Sequence, residues 1–135
     1  MIAVGLAPRC CIPTRGGIGK GQDVLQINCL WANLDNKWAA GGAIEVIQRI
    51  DEFPLHPSIT VNSGYGYHVY FVFHDPLRCS LLLEWSEMVR GLKDALHGDE
   101  RLIISQVMRL PSTLNHNVRR RHQLHNFLMR VALII

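Results

Sequence analysis

Apolar and polar positions along this chain switch between a strand-like and a helix-like period without a regular order. Val24–Leu34 is mostly apolar and reads as a strand that ends at Asn33-Leu34-Asp35. Trp38–Ile50 reads as a helix, with Ala43, Ile44, Ile47 and Ile50 at helical spacing and Gly41-Gly42 weakening its start. Phe53-Pro54 through Pro57 breaks that pattern. Ser58–Val61 and His68–Phe73 then read as a hairpin-like pair around a glycine turn. Asp75-Pro76 suits a first helical turn, so Leu77–Leu96 is expected as the longest helix. Its apolar face would be Leu81, Trp85, Met88, Val89, Leu92 and Leu96, closed by His97-Gly98-Asp99. Ile2–Leu6 and Phe127–Ile135 read as short strands, and Leu102–Met108 as strand or irregular chain. With no internal repeat and no βαβ alternation, the expected class is α+β, a mixed α/β sheet domain.

Length and charge narrow this picture. The 135 residues suit one domain spanning 1–135 with a core of its own. A content of 48% hydrophobic and 19% charged residues is that of an ordinary folded domain. The net charge of +3 is mild but uneven, because Arg119, Arg120, Arg121 and Arg130 crowd a basic tail over about 117–135, beside His116, His122 and His125. That tail fits a polyanion partner, and a solvated basic tail fits equally well. Cys10 and Cys11 are adjacent and no second pair stands at zinc spacing, so a zinc knuckle is excluded. Cys29 and Cys79 are expected as buried small hydrophobes. No signal-peptide pattern and no run long enough for a membrane span are present, and free thiols point to the cytoplasm.

Candidate chemistry gathers in three places. Residues 13–23 form a glycine-rich loop carrying Arg15 and Lys20. It is not a Walker A motif, because Gly21 stands where Ser or Thr belongs and Thr14 where the leading glycine belongs. A turn built on Ser63, Gly64 and Gly66 runs into His68, so backbone N–H groups, a hydroxyl and an imidazole could meet a phosphate. Asn33 and Asp35, two apart on a strand, face the same side.

Taken in order, these segments resemble a known family. The basic glycine loop precedes Trp31-Ala32-Asn33-Leu34-Asp35, and Pro57-Ser58 leads to Ser63-Gly64-Tyr65-Gly66-Tyr67-His68. Gly98-Asp99 and Val107-Met108-Arg109-Leu110-Pro111-Ser112-Thr113-Leu114-Asn115-His116 follow the long helix. From about Val4 to His116 the chain resembles the primase–polymerase domain of the archaeo-eukaryotic primase superfamily, in the branch of phages, plasmids and other mobile elements. The resemblance implies an RRM-like antiparallel or mixed sheet packed by helices, and nucleotidyl transfer with Mg²⁺ or Mn²⁺ held by carboxylates. It implies catalytic roles for Asn33, Asp35, His68 and Asp99, with Asn33 and Asp35 at the metal. Ser63, Gly64, Gly66, His68 and Arg109 would bind nucleotide. Arg15, Lys20, Thr113, Asn115, Arg119, Arg120 and Arg121 would meet nucleic acid. The implied partners are single-stranded DNA template, nucleoside triphosphates and a helicase supplied as a separate domain or protein.

The departures from the family pattern fall on the acids. Asn33 stands in place of the first catalytic Asp, and its amide oxygen brings no charge to a metal. Ile103 stands where an Asp is expected ahead of Arg109, leaving Asp99, which matches a different acid of the family, and Glu100 as a stand-in. Ser112 replaces a Gly and Asn117 a Lys. Three readings follow: a primase or polymerase weakened by lost acidic ligands, a non-catalytic nucleotide- or single-stranded-DNA-binding module of the same fold, and a plain domain whose glycine turn is only a hairpin. A degenerate descendant or a fragment of a larger replication protein is expected.

Overall fold

The twelve residues Val24–Asp35 form a strand, β3, in which buried positions recur along a largely apolar run. It is the spine of a computed structural model that describes residues 5–6, 9–11, 24–78, 82–99 and 108–109. Around it stand β1 (Gly5–Leu6), β2 (Arg9–Cys11), a 3-10 turn (Asn36–Trp38), α1 (Gly42–Glu52), β4 (Ile59–Asn62), β5 (Gly66–Arg78), α2 (Leu82–Leu96) and β6 (Met108–Arg109). One antiparallel sheet runs in the order β2-β3-β5-β4, and β1 pairs with β6 separately. The class is α+β, as the mixed periods predict.

Antiparallel partners share a face of the sheet, so the register sorts the side chains. Ala32 and Leu34 lie with Val69 and Tyr67 in a core completed by Phe71, by Val46 and Ile50 of α1, and by Leu92 and Leu96 of α2. Trp31 belongs to the opposite face and joins Val24, Ile27, Cys29, Trp85 and Val89. The Trp31 and Trp85 ring centroids are 5.2 Å apart. Asn33, Asp35 and His68 continue this second face beyond Trp31.

Four sequence expectations change. The helix expected from Leu77 begins at Leu82, because β5 continues through Pro76 to Arg78. Cys29 pairs with Val72 and Ile27 with Leu77, so residues 73–76 form an irregular excursion in which proline's missing N–H breaks no ladder bond. On α1 the buried side is Val46 and Ile50, while Ile44 and Ile47 point outward. The helix expected from Trp38 starts only at Gly42, where Glu45 reaches back to accept the Gly41 N–H at 2.6 Å while also pairing with Arg49. That hydrogen bond, and then Arg49, hold the Glu45 carboxyl below its ordinary range. On α2, Trp85, Val89, Leu92 and Leu96 are buried as expected, while Met88 is exposed. The strand at Arg9–Cys11 has no expectation behind it, and the one expected over 127–135 lies outside the described residues.

Candidate functional site

β3 and β5 run side by side and place the two central motifs against each other. Asn33 pairs with His68, and Asp35 with Gly66. The Asn33 carbonyl turns away from β5 and accepts the Asp99 N–H at 2.8 Å. Tyr70, two residues after His68, turns its carbonyl outward likewise and accepts the Ser58 N–H at 2.8 Å. Asn33 and His68 are therefore a non-hydrogen-bonded pair, the type in which Cα atoms lie about 4.5 Å apart and side chains come closest.

β2 pairs with β3 only as far as Ile27, and among the described residues no strand pairs with the outer edge of β3 near Asn33, where Asp99 reaches it. α2 ends with His97 in the left-handed region (φ 54°) and the Gly98 N–H donating to Lys93 O at 2.8 Å. This is a Schellman-type stop, and it turns the chain back onto β3. A Cβ on Gly98 would lie 3.3 Å from Asn33 O. The structure thus brings Asn33, Asp35, His68 and Asp99 to one end of β3.

The glycine turn serves the fold before any ligand. Ser63 donates its backbone N–H to Gly66 O at 2.8 Å and its hydroxyl to the same oxygen at 3.1 Å. Gly64, at φ 84°, donates its N–H to Asn62 Oδ1 at 2.8 Å. The N–H groups of Ser63 and Gly64, expected to face a phosphate, are spent inside the turn. A Cβ on Gly66 would sit 1.9 Å from Leu34 O, so this glycine admits the β3 backbone rather than a ligand.

Asp35 is half-buried and already engaged. Its Oδ1 accepts the Lys37 N–H at 3.1 Å, capping the 3-10 turn, and its Oδ2 lies 2.9 Å from Lys37 Nζ. Lys37 Nζ in turn lies 4.9 Å from the centre of the Trp38 ring. From sequence, Lys37 has no expected role and Trp38 only that of a helix start, although an Asp two positions before a Lys carries a readable local capping signal.

Among the described residues these donors do not make up a divalent-metal site. The set offers two carboxylates, Asp35, which is paired with an ammonium, and Asp99, which meets Asn33 through its backbone N–H, together with the uncharged amide of Asn33 and the His68 imidazole. Among the described residues no three His, Cys, Asp or Glu side chains form a group that could hold a metal. Arg109 is placed by its backbone alone, opposite Gly5. Arg15, Lys20, Glu100, Ile103, Ser112, Thr113, Asn115, Asn117, Arg119, Arg120 and Arg121 lie outside the described residues. No described helix is long and apolar enough to cross a membrane.

No protein-family model matches the sequence, and no curated protein matches it. Among solved structures, the AEP domain of the cyanophage S-2L primase-polymerase (PrimPol) is similar in fold, with a TM-score of 0.56 at 20% sequence identity. The similarity covers 84% of this chain and 59% of that one, so the chain spans under two thirds of that domain. The chain therefore has a primase-polymerase-like fold.

Proposed function

We propose that this chain is a primase-polymerase-like module for replicating a mobile element, which holds a nucleoside triphosphate against single-stranded DNA and transfers nucleotides weakly. One observation carries the reading: Asn33, Asp35, His68 and Asp99, drawn from three separate segments, meet at one end of β3. The fold similarity to a phage primase-polymerase domain supports it. Weak transfer follows from the donor set, since electrostatic stabilisation of phosphoryl charge is usually the largest catalytic contribution. Asp35 spends its charge on Lys37.

That same ion pair favours a second reading, a nucleotide- and DNA-binding module without synthesis. Primer extension on a single-stranded template, with Mg²⁺ or Mn²⁺ supplied, separates the two. The first expects faint incorporation that Asp35→Ala or His68→Ala abolishes and the double variant Asn33→Asp, Ile103→Asp raises. The second expects salt-sensitive DNA binding with no incorporation. Absence of both nucleotide and DNA binding at about 50 mM salt sinks both readings.

A further inference from the structure

The chain has three tryptophans. Trp31 and Trp85 are buried, whereas Trp38 is 71% exposed. An indole is usually largely buried, so one held in solvent needs a reason. The backbone around it is held in place. Asp35 caps the 3-10 turn, the Asn36 N–H donates to Tyr65 O at 2.8 Å, and the flanking Leu34 and Ala39 are buried. The turn is pinned on both sides and the ring is displayed. Tyr65, at the other end of the Asn36 hydrogen bond, is itself 45% exposed.

We propose that Trp38, with Lys37 and Tyr65, is a stacking platform for an unpaired base of single-stranded nucleic acid at the Asp35–Gly66 rim. This deepens the proposed function and rests on its DNA-binding part. Every base presents a π face that an exposed aromatic ring can cover, and a neighbouring ammonium suits the adjoining phosphate. Lys37 Nζ is 4.9 Å from the ring centre, so cation and ring come as a unit. Charge complementarity selects the occupant: the Lys37 ammonium is shared with Asp35 at 2.9 Å, yet its side chain is 63% exposed and an ammonium has three donors, so one is left for a phosphate oxygen, a setting that suits a polyanion better than an apolar protein face.

The buried positions of Trp31 and Trp85 make intrinsic fluorescence a reporter of Trp38. Oligothymidylate binding is followed by anisotropy of a labelled strand and, in parallel, by indole emission with an unlabelled strand. The expected result is saturable quenching that tracks the anisotropy. Trp38→Ala weakens binding about tenfold, and Trp38→Phe stays within about threefold of the wild-type chain. Lys37→Gln lowers the slope of log affinity against log salt by about 0.7. Because the ring is exposed, Trp38→Ala should keep the wild-type circular dichroism and melting curve, which separates lost binding from lost fold. Binding that leaves the indole emission unchanged, with Trp38→Ala as tight as wild type, overturns the platform alone. No anisotropy change with the wild-type chain overturns the platform and the DNA-binding part of the proposed function, leaving nucleotide incorporation to be judged separately. Self-association that Trp38→Ala abolishes, with DNA affinity unaltered, assigns the ring to a protein interface and also overturns it.

Discussion

Asn33 and His68 stand directly opposite each other in a non-hydrogen-bonded pair of the β3–β5 ladder, with the Asn33 carbonyl turned outward to the Asp99 amide. An uncharged amide thus occupies the closest cross-strand position to the imidazole. A carboxylate placed there would favour the charged form of His68. Asn33→Asp is expected to raise the His68 pKa, read from the imidazole proton shifts in an NMR titration. An unchanged midpoint would mean that the two side chains diverge.

Gly66 and Gly91 should respond oppositely to the same substitution. A Cβ at Gly66 would meet Leu34 O at 1.9 Å, backbone against backbone, whereas one at Gly91 meets nothing within 4 Å. Gly66→Ala is expected to cost about 3 kcal/mol in urea unfolding. Gly91→Ala, inside α2, should gain about 0.5–1 kcal/mol.

Alkaline pH should weaken the fold through Cys29. Burial pushes its thiol up from 9.0 to about 12. Below pH 9 both folded and unfolded chains keep the proton. Above it the unfolded chain releases the proton first, so stability falls from about pH 9 to about 12, by at most about 1.4 kcal/mol per pH unit. Tyr70 moves the same way, raised first by burial and then by the neighbouring Cys29. Cys29→Ala should flatten the alkaline limb of stability against pH, and an unaltered limb would remove Cys29 as its source.

His97 adopts φ 54° at the end of α2, a conformation that costs a side-chain-bearing residue about 1–2 kcal/mol. His97→Gly is expected to stabilise the chain by about 1 kcal/mol in the same urea assay. A loss of stability would mean that the imidazole makes a contact worth more than the strain.

The sequence makes some of this legible. The apolar run of Val24–Leu34 and the two-residue spacing of Asn33 and Asp35 are local patterns, and β3 reproduces both. The stripe at Trp85, Val89, Leu92 and Leu96 is also local, and those residues are buried. Pro76 misled because proline suits a helix start and a strand irregularity equally well, and only the pairing partner decides. Ile44 and Ile47 fit a helical period but face outward, since periodicity does not say which side meets the sheet. Gly66 was legible as a special position and not as to its cause. The approach of Leu34 O depends on a strand distant in sequence. The commitment of Asp35 to Lys37 was within reach, hidden by the attention a spaced acid draws toward metals.

The hydrogen bond from Asp99 to Asn33 also sets an order of events. It joins β3 to a residue just past α2, 66 positions away in sequence, so it is expected to close after the sheet and the helix have formed. Contacts between distant parts of a chain are made late, because the entropy of closing the loop must be offset by structure already formed. The two walls of the candidate site leave the ribosome first, and the clasp that fixes the outer edge of Asn33 arrives last.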